Sequence, residues 1–66
     1  MTRRQLSTFK AAYRALVKAR AAHDAWVHGI LAGKAVNKVK GTRLAKNVER
    51  RMLAFMVASK PFLYWL

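Results

Sequence analysis

The sequence predicts an all-α fold: a small bundle of one long basic amphipathic helix, a short helix or turn, and a second helix packed antiparallel, with an apolar C-terminal tail. Three features point to it. Residues 2–28 contain neither Gly nor Pro. Apolar side chains recur by threes and fours there and again after Gly41, the period of a helix with one buried face. The three glycines and the single proline, at positions 29, 33, 41 and 61, fall where these segments should end. The reading divides the single domain into a helix over 2–29, a connector or short helix over 30–41, a helix over 42–59 and a tail over 60–66.

The first helix opens on a capping box. In Thr2-Arg3-Arg4-Gln5 the threonine hydroxyl can accept from the backbone N–H three residues on, and the glutamine can reach back. Met1 and Leu6 stand where a hydrophobic staple stands. Arg3 and Arg4 lie at the positive end of the helix dipole, where a cation costs a few tenths of a kcal/mol up to about 1 kcal/mol. A helix that carries that cost has another use for the charges.

Two faces separate along this helix. Leu6, Phe9, Tyr13, Leu16, Arg20, His23, Val27 and Ile30 follow one another by three and four, so they should face a core or a partner helix. Lys10, Arg14 and Lys18 stack at i, i+4 on the other side, with Arg3 further back. Like charges at that spacing weaken an isolated helix by roughly 0.2 to 0.5 kcal/mol per pair. A solvated face usually mixes signs, and this one has no acid before Asp24. Arg20 and His23 interrupt the apolar stripe, and the expectation is that they form a partly buried polar pair bonded to the second helix or to the terminal carboxylate. Trp26 flanks the stripe as a packing residue.

Either Gly29 or Gly33 can take the left-handed residue that ends the helix. Between Lys34 and Lys40, Ala35, Val36 and Val39 offer a small apolar side while Lys34, Lys38 and Lys40 crowd together, with Gly41 as a cap. Thr42 then caps a helix that ends by Ser59, because Pro61 disfavours helical geometry at Lys60. Leu44, Val48, Met52, Phe55 and Met56 form its apolar arc, and Arg43, Lys46 and Arg50 lie opposite. The chain closes on Phe62-Leu63-Tyr64-Trp65-Leu66, large and apolar to the last residue. Such a tail either folds across helices too narrow to close a core or docks on a lipid interface or a partner groove.

Composition limits the function. Fourteen Lys and Arg against two acids give a net charge of +12 over 66 residues, which repels itself in the folded state and favours an anionic partner. The absence of cysteine excludes a disulfide framework and a thiolate metal site. No run approaches the roughly 20 apolar residues that span a bilayer. The first twenty-three residues are acid-free, Arg-bearing and amphipathic, the composition of an organelle-import segment. Without it the expected location is cytoplasmic or within a nucleoprotein assembly, with secretion without a leader as a further route.

No catalytic constellation is written in the chain. His23 and His28 are five residues apart, on different sides of a helix. Asp24 and His28 sit at i, i+4, a pair usually worth less than about 1 kcal/mol when exposed. Glu49 is the one other acid, so no carboxylate pair exists for acid–base work. The chain is expected to be no enzyme and to take no metal, cofactor or small-molecule substrate.

Leu31-Ala32-Gly33-Lys34-Ala35-Val36, followed by Lys40-Gly41, resembles a segment of leaderless cationic bacteriocins, small helical proteins that permeabilise membranes. The resemblance covers about a sixth of the chain, and the long first helix departs from their pattern of short ones. Ala12-Tyr13-Arg14 resembles the Leu-Tyr-Arg signature of a family of small mitochondrial helical proteins, with its Leu missing.

The leading expectation is a small non-enzymatic protein that engages the phosphate backbone of nucleic acid, free or as a subunit of a nucleoprotein assembly. Arg3, Lys10, Arg14 and Lys18 on the first helix, Lys34, Lys38 and Lys40 in the connector, and Arg43, Lys46 and Arg50 on the second are its candidate contacts. The alternative is action at an anionic membrane surface, with the same cations on headgroups and Phe55, Phe62, Tyr64, Trp65 and Leu66 as the docking element. A further alternative is an inhibitor or assembly factor that covers an acidic patch on a protein partner.

Overall fold

The first helix starts where local chemistry places it. In the structure, a computed structural model that describes residues 2–63 and only the backbone of Leu63, Thr2 is extended at φ −88° and ψ 158° and caps helix α1 (Arg3–Leu31). The Gln5 N–H donates to Thr2 Oγ1 at 3.1 Å, and the Thr2 N–H donates to Gln5 Oε1 at 3.0 Å. Two of the four N–H groups left over at a helix start are thereby satisfied without solvent.

The helix runs two residues past the expected end. Gly29 stays helical, and Gly33 takes the left-handed turn with φ 93°. The Lys34 N–H donates to the Gly29 carbonyl and the Gly33 N–H to the Ile30 carbonyl, each at 3.0 Å. That pair of bonds is a Schellman motif, and only the position carrying its positive φ requires glycine.

Helix α2 (Lys38–Leu63) is longer at both ends than the expected 42–59. Its start is set by Asn37, whose Oδ1 accepts from the Lys40 N–H at 3.0 Å, while the Gly41 N–H donates to the Asn37 carbonyl at 2.9 Å. Asparagine is the stronger N-cap, so Gly41 and Thr42 lie inside the helix and not at its boundary. At the other end Pro61 is helical. In the last turn a proline removes a single ladder bond, and the helix there is held by Phe62, whose ring centroid lies 4.4 Å from that of Phe9. The expected tail over 60–66 is therefore helix as far as Leu63, and Tyr64, Trp65 and Leu66 lie outside the described residues.

The helices pack antiparallel as a hairpin. Phe9, near the start of α1, meets Phe55 and Phe62 near the end of α2, and Trp26, near the end of α1, meets Gly41 near the start of α2. The body measures 47 × 20 × 16 Å, about the ~44 Å length of a 29-residue helix in its long direction.

The seam follows a 3-4 repeat in both helices. On α1 it takes Phe9, Ala12, Leu16, Ala19, His23, Trp26 and Ile30, all buried or half-buried. The expected stripe shares Phe9, Leu16, His23 and Ile30 with it and Val27 is half-buried beside it, but Leu6, Tyr13 and Arg20 are exposed, and the places of Tyr13 and Arg20 belong to Ala12 and Ala19. Alanine lets the backbones approach, so the contact runs one residue to the side of the bulkiest residues. On α2 the seam takes Gly41, Leu44, Val48, Phe55, Ala58 and Phe62. The repeat omits one step, Arg51, which is exposed. Among the described residues only Leu16, Ala19 and Gly41 are buried outright.

Candidate anion-binding faces

Each helix directs its cations away from the other. Lys10 and Arg14 flank the seam residue Ala12 by two positions, and Arg14 and Lys18 flank Leu16 in the same way. Two positions turn a helix by about 200°, so these side chains point outward, opposite the packing face. On α2, Arg43 stands two positions from Gly41, Lys46 two from both Leu44 and Val48, and Arg50 two from Val48. They too point outward. The two sets therefore occupy opposite edges of the hairpin.

Three groups result. Arg3, Lys10 and Arg14 border one groove of α1 with Leu6, Ser7 and Ala11, and Arg14 and Lys18 border the next. From Arg3 to Lys18 this ladder spans about 22 Å in α-helical rise. Lys38, Arg43 and Lys46 line a groove at the start of α2 with Val39 and Thr42. Lys34 and Lys40 line a third groove at the turn, with Trp26 and Asn37. Arg50 continues the α2 edge, and all ten candidate cations are exposed. With two acids in the whole chain, most of these charges can have no carboxylate partner.

The docking set divides differently. Phe55 and Phe62 are half-buried, with Phe55 5.2 Å from Phe9 and 5.8 Å from Tyr13 between ring centroids. These rings close the open end of the hairpin. His23 is half-buried, and its ring lies 5.9 Å from the Trp26 indole at 42°, while His28 is exposed. Among the described residues no group of three His, Cys, Asp or Glu is placed to hold a metal ion, and no helix is long and apolar enough to cross a membrane.

Two further arginines, Arg4 and Arg51, lie outside the ten candidate contacts. Arg4 is exposed and borders a groove between the helices with Thr8, Val57 and Pro61, a position that only the α2 partner reveals. Arg51 belongs to the seam repeat, which could have been read from Gly41, Leu44, Val48, Phe55, Ala58 and Phe62 had glycine and alanine been counted as packing positions.

Fold and surface together define a small all-α helical hairpin with cationic outer edges. Comparison of the chain with family models, with curated proteins and with solved structures gives no match.

Proposed function

We propose that the chain binds the phosphate backbone of nucleic acid with little choice of sequence, alone or within a nucleoprotein assembly. The observation that supports it is the ladder of Arg3, Lys10, Arg14 and Lys18. It is exposed, directed away from the packing face, and without an acid in the chain before Asp24. Its steps from Lys10 through Arg14 to Lys18 rise about 6 Å each and the step from Arg3 to Lys10 about 10 Å, spacings suited to a row of phosphates. Phosphate contacts position a protein on nucleic acid and carry no sequence information, and among the described residues the rings of Phe9, Phe55 and Phe62, which could otherwise stack on bases, are engaged in the seam.

Neutralising phosphates releases counterions, so affinity falls with salt by about 0.9 log unit per contact per decade on duplex DNA. Fluorescence anisotropy with mixed-sequence duplex and single strands over a salt series tests the proposal. Four ladder contacts give a slope of about −3.6, with similar affinities for unrelated sequences. Nucleic-acid binding too weak to saturate, beside a blue-shifted Trp emission with anionic vesicles that survives added salt, would replace this reading with the membrane-surface one.

A further inference from the structure

The hairpin has two flat sides, and one of them exposes more large apolar side chains than the other. Leu6, Tyr13 and Val17 on α1 and Met52 and Met56 on α2 are between 38% and 57% exposed. Tyr13 joins the two rows through Phe55. Val17 is four positions from Tyr13, and Met56 four from Met52, so both rows continue along one side of the seam. Together they expose roughly 400 to 500 Å² of apolar surface, taking about half of a typical large side chain for each. The opposite side carries Arg4, Thr8, Val57 and Pro61 at one end and Ala22, Trp26, Asn37 and Lys40 at the other, with Val57 its one large exposed hydrophobic side chain among the described residues.

The same side also holds both acids of the chain. Asp24 follows Val17 by seven residues, and Glu49 precedes Met52 by three and Met56 by seven, so the carboxylates continue the two rows toward the turn. Arg20 stands between them. The two carboxylates offset Arg20 and Lys38 on this side, whose outer margin meets the ladder where Leu6, Tyr13 and Val17 share grooves with Arg3, Lys10, Arg14 and Lys18. Anionic headgroups or phosphates would meet carboxylates there, whereas a second copy would meet apolar rows and a mixture of Arg20, Asp24 and Glu49.

We infer that this side is where two copies of the chain pair, flat side to flat side, as a four-helix arrangement. The inference goes beyond phosphate binding and uses no residue of the cationic ladder. A hairpin in which, among the described residues, only Leu16, Ala19 and Gly41 are buried lacks the core that a chain of this length needs. A standard interface covers about 800 Å² on each partner, and the apolar rows with Arg20, Asp24 and Glu49 around them supply an area of that order. Hairpins stacked this way bury the seam's open flank and leave the cationic edges outward.

Sedimentation of the full chain, in salt that screens its charge, is expected to give twice the 7.5 kDa mass of one chain. Val17→Lys and Met56→Lys should return it to one chain with the helical circular dichroism retained. If either variant loses its helix, single cysteines decide, since the chain has none of its own. Met52→Cys should oxidise to a covalent dimer under native conditions and not in denaturant. Ala22→Cys, nine positions from Tyr13 and so on the opposite flank, should not. A native chain that sediments singly at every concentration, lysine variants that stay paired, or cross-linking at Ala22 equal to that at Met52 would each overturn the inference.

Discussion

Gly41 rests against the benzenoid edge of Trp26 so closely that a Cβ at this position would overlap the ring. The glycine lies inside α2, where alanine would favour the helix by about 0.8 to 1.0 kcal/mol. Overpacking a close contact costs about 1 to 3 kcal/mol. The second term wins, so Gly41→Ala should lower stability by about 1 kcal/mol, a fall in Tm of about 4 to 8 °C in a domain of this size. Thermal melts followed by circular dichroism measure it. An unchanged or higher Tm would mean the indole swings away at no cost.

Arg51 is level with Leu16 when the antiparallel helices are aligned with Phe9 between Phe55 and Phe62 and Trp26 against Gly41. Its guanidinium is exposed, so only its stem can cover the seam. Arg51→Leu should raise stability by about 1 kcal/mol through added apolar burial. Leu16→Ala at the same level should cost about 2 kcal/mol or more, enough to unfold much of a marginal hairpin. Urea titrations of the two variants should shift their midpoints in opposite directions.

The α2 cap and the α1 first turn allow stability and binding to be moved independently. Asn37→Ala removes the acceptor for the Lys40 N–H and should cost about 1 kcal/mol with little change in the salt dependence of binding. Arg3→Glu with Arg4→Glu places acids at the positive end of the α1 dipole and should stabilise by about 0.3 to 1 kcal/mol per site. The same pair should weaken nucleic-acid binding. A variant that melts higher and binds worse would separate the two roles of these arginines.

The ladder predicts how salt dependence responds to single substitutions. Lys10→Ala, Arg14→Ala and Lys18→Ala should each reduce the steepness of log K against log salt by about 0.9 on duplex DNA. Tyr13→Ala, beside the ladder and uncharged, should leave the slope unchanged. Anisotropy titrations at several salt concentrations distinguish these outcomes, and equal slopes for all four variants would remove the ladder from the binding surface.

What could be read in advance followed the range of the interactions. The capping box of Thr2 and Gln5 spans three residues and was legible in full. The outward placement of Lys10, Arg14 and Lys18 needs only helical period, so it too was legible. Ala12 and Ala19 were not, because their part in the seam comes from how closely the α2 backbone approaches, and alanine gives no hydrophobic signal of its own beside Tyr13 and Arg20. The start of α2 was misplaced because Gly41 is a good terminator in isolation. Its place inside the helix depends on the Asn37 cap and on the Trp26 ring, which lies fifteen residues earlier. The ladder's relation to Arg43, Lys46 and Arg50 was likewise hidden, since only the pairing of the helices sets the two groups back to back.

That back-to-back placement governs how many strands one molecule can hold. Duplex DNA stays nearly straight over about 500 Å and cannot curl from one edge of a body 20 Å wide to the other. On the proposed reading the α1 edge and the α2 edge each grip a different duplex. Neighbouring duplexes are then drawn together, and solutions turn turbid as protein and nucleic acid approach charge balance. On that reading the molecule would act as a rivet between strands, with a bundle of nucleic acid more than a single site on it as its proposed partner.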